Sequence, residues 1–186
     1  MNHLKKEAMA VKQSLLKLLI LFSIITISTS DEDDCVYSIY VRTSTIIKGG
    51  TDSKIGATFY DADGYGIRIN DIEAWGGLMG PGYDYFERGN LDIFSGRGPC
   101  IPGPICALNL TSDGTGSGHG WYCNYVEASS TGVHEECSKK YFEVEQWLAT
   151  DAAPRQLYAY RNLCSGSSGR AGLMKRAMDL PKVSVV

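Results

Sequence analysis

Carboxylates set among turn residues are the side chains in this chain best placed to do chemistry. One group lies in GGTDSKIGATFYDADG, residues 49–64, and a second in YDYFERGNLD, residues 83–92. Calcium takes six to eight oxygens, typically several carboxylates plus carbonyls offered by Gly-containing loops, so these two stretches could hold a hard cation. The competing role is local, because an Asp in a turn commonly bonds its own backbone. Asp61 and Asp63 in DADG are read as turn residues, and Asp52 is open to either role. Other chemistries find little support. There is no G-x-S-x-G elbow and no H-E-x-x-H pair. His119 and His134 sit in Gly-rich or loop contexts, and Glu143 and Glu145 alternate outward on a predicted strand rather than facing each other across a cleft. No enzymatic activity is expected. A small hydrolase on this scaffold would have to work through His119 or His134.

The compartment follows from the first thirty residues. Lys5, Lys6, Lys12 and Lys17 precede an apolar run at 18–27 and then Ser28, Thr29 and Ser30. That order describes a secretory signal peptide cut near Ser30, and the run is shorter than the roughly 20 residues a spanning helix needs. All six cysteines (Cys35, Cys100, Cys106, Cys123, Cys137, Cys164) lie beyond it, with no C-x-x-C among them. Disulfides are therefore the default over a zinc site, with fifteen possible pairings. Residues 31–164 carry ten Lys plus Arg against nineteen Asp plus Glu, a net of −9. Such a surface repels phosphates, which excludes nucleic acid as a partner, and it repels anionic lipid unless a cation or an apolar contact intervenes. The acidic run at 31–34 is read as a solvated new N-terminus.

The elements that must position these groups are strands. Tyr37, Ile39 and Val41 alternate with polar neighbours, as do Ile55, Ala57 and Phe59 and then Tyr65, Ile67 and Ile69. Leu91 and Ile93 mark a fourth strand. Pro102-Gly103 is a type II turn signal that reverses the chain and brings Cys100 close to Cys106. Leu108 and Leu110 mark a fifth strand, and its polar phase carries Asn109 of the sequon Asn-Leu-Thr, an expected glycosylation site. SDGTGSGHG, residues 112–120, is a flexible Gly-rich turn without the ending of a phosphate loop. Residues 121–128, 141–148 and 156–161 complete eight short strands, which makes the chain all-β, an antiparallel β-sandwich. After Cys164 a Gly/Ser linker leads to a tail, 165–186, read as a frayed terminus that could also form a short basic helix.

Between the third and fourth strands stands WGGLMGPGYDYFERGNLDIFSGRG, residues 75–98, in which Trp75, Leu78 and Met79 lie among glycines. Buried, they would fill the end of the sandwich; exposed, they would form an apolar patch that contacts a membrane or a protein. The pieces GTD, FERG-x-x-D-x-F and GWY, in this order, resemble the PLAT or lipoxygenase-homology (LH2) domain, most closely its small stand-alone plant members. The resemblance covers roughly residues 35–164 and implies two four-stranded sheets, with 1–30 a signal peptide and 165–186 a flexible tail. It implies a calcium site built from Asp52, Glu87, Asn90 and Asp92 with the carbonyl of Gly50. It implies that the first and last strands pair, so that Cys35 meets Cys164; Cys100 then joins Cys106 and leaves Cys123 with Cys137. Its members imply a non-catalytic docking monomer of the endoplasmic reticulum or cell exterior, active in plant stress and growth responses. Its partner would be membrane lipid or, alternatively, a protein of the secretory pathway. The oxygenation chemistry of lipoxygenases belongs to a helical domain for which this chain has no sequence.

Overall fold

Period-two alternation becomes strand at each predicted place. The computed structural model describes residues 34–133, 136–165 and 183–186. Within them run β1 (Asp34–Thr43), β2 (Ile55–Tyr60), β3 (Gly66–Ile69), a short helix α1 (Ile72–Gly76), β4 (Leu91–Pro99), β5 (Ala107–Ser112), β6 (Trp121–Thr131), β7 (Ser138–Leu148), β8 (Tyr158–Asn162) and β9 (Val183–Val185). One sheet has the order β4-β1-β6-β7 and the other β8-β5-β2-β3-β9. The inward phases of the two sheets meet in one core, with Tyr37, Ile39, Phe94, Val126 and Phe142 from the first and Phe59, Ile67, Leu108 and Leu110 from the second. Each such aliphatic or aromatic side chain is worth about 1.5–3 kcal/mol when fully buried. Trp121 is buried too, and its indole Nε1 donates to Thr43 Oγ1 at 3.0 Å, which satisfies its one polar atom.

Two elements depart from expectation. Residues 72–76 form a helical turn whose N-cap, Asp71, accepts from the Ala74 amide at 3.0 Å. The end of the tail, read as frayed, is instead the strand β9, which pairs in parallel with β3, so the sheets have four and five strands rather than four each. Residues 1–30, expected to be a signal peptide, and residues 166–182 lie outside the described residues.

The cysteine pairing is also corrected. Cys35 is bonded to Cys100 and Cys106 to Cys164, while Cys123 and Cys137 are free. The first and last strands cannot meet, because β1 and β8 belong to different sheets. β1 instead pairs β4 with Cys35 opposite Gly98, and β5 pairs β8 with Ala107 opposite Asn162, so each bridge staples neighbours within one sheet. The segment between Cys100 and Cys106 crosses from one sheet to the other, and each of the two cysteines is bonded instead to a partner at the neighbouring strand of its own sheet. Tyr37 holds that crossing, its buried hydroxyl donating to the Pro99 carbonyl at 2.7 Å and accepting from the Ile101 amide at 3.2 Å. Burial pushes this phenol up to about 12. Asp61, a turn residue as expected, accepts from the amides of Asp63 and Tyr65 and reaches across to the Gly103 amide. Cys123 lies opposite Gln146, whereas Ser138, next to Cys137, lies opposite Ser130. Seven residues of strand correspond to roughly 23 Å, against the roughly 7 Å limit for bridged Cα atoms.

Candidate functional site

The segment after α1 extends the free edge of β4 before it leaves the sandwich. Gly77 bridges Phe94, and the Leu78 amide donates to the Ile93 carbonyl at 3.0 Å. The Trp75 indole lies flat over Gly96, where a Cβ would stand 2.5 Å from its ring carbons. Trp75 is therefore half-buried and anchors the loop, while Leu78 (59% exposed) and Met79 (37%) project from it. Gly80 and Gly82 take positive φ with open space around them, the backbone freedom that lets the tip turn. The chain re-enters through aromatic packing: Tyr85 lies 5.0 Å from Tyr83 and 5.3 Å from Phe94, and Phe86 stacks on Phe94 at 5.5 Å. The Tyr85 hydroxyl accepts from the Met79 amide at 2.8 Å and pins the tip.

Behind the tip three carboxylates converge. One oxygen from each of Asp52, Asp84 and Glu87 lies within 4.8 Å of the others, with Asp52 and Asp84 exposed. The backbone brings them there. The Thr51 amide donates to the Phe86 carbonyl at 3.3 Å. Gly50 packs so closely that a Cβ would be 3.0 Å from Glu87 Oε2 and 2.9 Å from the Arg88 amide. The Gly-rich loop, read from sequence as a flexible turn, folds onto the same place. Ser117 Oγ donates to Asp52 Oδ2 at 3.2 Å, and Ser53 Oγ donates to the Thr115 carbonyl at 2.6 Å.

Of the five residues expected to hold calcium, Gly50, Asp52 and Glu87 are thus brought together. Asn90 is adjacent, with its Nδ2 donating to the Asp84 carbonyl at 3.2 Å. Asp92 is not in the cluster. It faces inward on β4 and is fully buried; its Oδ2 accepts from the Phe86 amide at 2.8 Å, and burial raises its pKa above the usual carboxylate range. Asp84 takes its place, a residue sequence reasoning passed over. Its spacing three residues before Glu87, just ahead of FERG, is the signal the sequence offers. Asn109 faces outward on β5 between Thr58 and Tyr160, with its Oδ1 buried and unpartnered. His119 Nε2 lies 3.8 Å from Asp151 Oδ1 on the surface, and His134 is outside the described residues.

The family model of the PLAT/LH2 domain matches the chain over residues 37–161. The chain belongs to the PLAT/LH2 family. It is 59% identical over 158 residues to PLAT domain-containing protein 1 of Arabidopsis thaliana, covering 84% of this chain and 87% of that protein. With PLAT domain-containing protein 2 of the same plant it shares 54% over 172 residues, 88% of this chain and 94% of that one. Among solved structures it is similar to coral 8R-lipoxygenase, at 23% identity and a TM-score of 0.47, over 61% of this chain and 16% of the lipoxygenase.

The chemistry of this PLAT site is that of oxygen donors. Three carboxylates in reach of one another repel unless a cation lies among them, and the missing side chain at Gly50 lets its backbone pack close to Glu87. That donor set fits calcium, which prefers carboxylate and carbonyl oxygens.

Proposed function

We propose that this PLAT domain is a non-catalytic docking module of the plant secretory pathway that attaches to membrane lipid with calcium as its aid. The observation that carries this reading is one loop holding both parts: Leu78 and Met79 projecting at its tip, Asp84 and Glu87 at its base. Asp52, Asp84 and Glu87, with the backbone of Gly50, would hold the ion, and Asn90 fixes the turn that presents Asp84. The ion supplies positive charge where an acidic body would otherwise be repelled by anionic headgroups. Leu78 and Met79 supply the apolar contact, at most about 1.5–3 kcal/mol each if fully buried, enough for reversible binding. Trp75, held on Gly96, keeps the tip at a fixed angle. A part in stress and growth responses belongs to the same proposal and rests on the family resemblance.

The test is co-sedimentation with phosphatidylcholine–phosphatidylserine vesicles, with calcium or with chelator. The full chain should sediment more in calcium; the double change Leu78→Asp with Met79→Asp should abolish sedimentation in both conditions, and Asp52→Asn should remove the calcium dependence. A wild-type chain that ignores vesicles in both conditions refutes the lipid reading and makes the same tip the surface for a secretory-pathway protein.

A further inference from the structure

β9 is the one parallel neighbour among the described strands, and it covers an edge that would otherwise be open. Gly66 pairs with Val183, Ile67 with Ser184 and Arg68 with Val185, and the Val186 amide donates to the Arg68 carbonyl at 3.0 Å. β3 has four residues, and without β9 its outer row of amides and carbonyls would be a template for another strand. Beside that edge the opposite sheet lacks a side chain. At Gly98 a Cβ would be 2.5 Å from Ile67 Cδ1 and 3.2 Å from Val186 Cγ1, so the glycine leaves a notch in which Val186 packs against the core. Val185 points the other way and is 61% exposed. The edge therefore offers both backbone pairing and one apolar pocket, the two components of recognition by strand addition.

The register shows how the segment reaches this edge. Asn162 at the end of β8 lies opposite Ala107, Ala107 opposite Tyr60, Tyr60 opposite Gly66, and Gly66 opposite Val183, so β8 ends and β9 begins in one row across the sheet. Four strand spacings separate the two, roughly 19 Å. The 18 residues from 165 to 182 are enough to bridge that distance, since even at the roughly 1.5 Å per residue of a helix they would reach about 27 Å. A connection long enough to span its sites makes the pairing intramolecular and raises the effective concentration of its end. β9 is three residues long, so tethering and not ladder length is what keeps it in place.

We propose that the β3 edge with the Gly98 notch is a strand-acceptor site for an extended, uncharged, valine-rich segment, and that residues 183–186 are its intramolecular occupant. A partner polypeptide presenting such a segment gains the site when the tail leaves it. The probe is a labelled synthetic peptide with the sequence of residues 179–186, titrated by fluorescence anisotropy against the full chain and against the chain cut after Lys182. The cut chain should bind it, the full chain at least tenfold more weakly, and a peptide with Asp in place of Val186 should bind neither. Amide exchange in β3 should quicken on cutting and slow again with peptide. If the cut chain fails to fold, the full-length Val186→Asp variant serves in its place and should bind the peptide more tightly than wild type does. Equal binding to both forms, no binding to either, or a full-length dimer that the cut converts to monomer would each overturn the assignment.

Discussion

Replacing Asp84 by Asn should move stability in opposite directions with and without calcium. In chelator the three carboxylates are like charges within 4.8 Å. At the dielectric of water each pair at that distance repels by roughly 0.9 kcal/mol. Asp84 takes part in two pairs, and screening at physiological salt reduces the sum to roughly 1 kcal/mol. Asp84→Asn relieves that repulsion, so the variant should melt about 3–5 °C higher in chelator, on the scaling for a domain of this size. With calcium at a hundred times its dissociation constant the wild type should gain about 2.7 kcal/mol, roughly 8–13 °C. The variant loses about 1.4 kcal/mol of that gain for each tenfold fall in affinity. Scanning calorimetry of both proteins in chelator and in a calcium series reads all four quantities. An Asp84→Asn chain that melts lower in chelator would show the carboxylate to be structural, and a wild type whose Tm is indifferent to calcium would refute the site.

Asp92 should report on pH. Burial raises its folded pKa above the unfolded value, so the stability tied to its protonated form is fully present below the unfolded pKa and is lost as pH rises through the folded one. Asp92→Asn keeps an acceptor for the Phe86 amide without a buried charge, so its Tm advantage over wild type should grow from pH 4 to pH 7; an advantage that shrinks contradicts the burial argument. Non-reducing peptide mapping of chain secreted from plant cells should find Cys35 with Cys100 and Cys106 with Cys164, each closing a loop worth about 4 kcal/mol in the chain-entropy account. The same digest should show a start near Asp31 and a glycan mass on Asn109 that Asn109→Gln removes; a Cys35–Cys164 peptide would contradict the strand order, and an unmodified Asn109 the glycan.

Much of the sandwich was legible because its signals are local. Alternation at Tyr37, Ile39 and Val41 is imposed by a pleat with one buried face, and a single strand is enough to show it; on β2 the phase of Gly56 and Thr58 is buried as well, which the alternation of Ile55, Ala57 and Phe59 did not show. The tip was legible only in part: glycines around Leu78 and Met79 marked a loop, while burial and exposure both stayed open until the structure set Trp75 half-buried on Gly96 and left Leu78 exposed. On β4 the same reasoning reached the strand but not its phase, since Asp92 points inward and Leu91 outward. The Phe86 amide, delivered by the turn after the loop, and the Tyr83 hydroxyl help to make an inward carboxylate tolerable there.

The sequence by itself determined the family, the strands, the place of the Trp75 loop and two of the three clustered carboxylates, because motif, period and turn chemistry act over a few residues. Tertiary structure decided what depends on which strands become neighbours. It set Cys35 beside Cys100 rather than Cys164, since sheet membership and not chain order fixes which Cα atoms come within bridging reach. It chose Asp84 over Asp92, because one loop had to fold across another before three oxygens could converge. It placed residues 183–186 on β3, where the pairing partner lies more than a hundred residues earlier in the chain and no local pattern points to it.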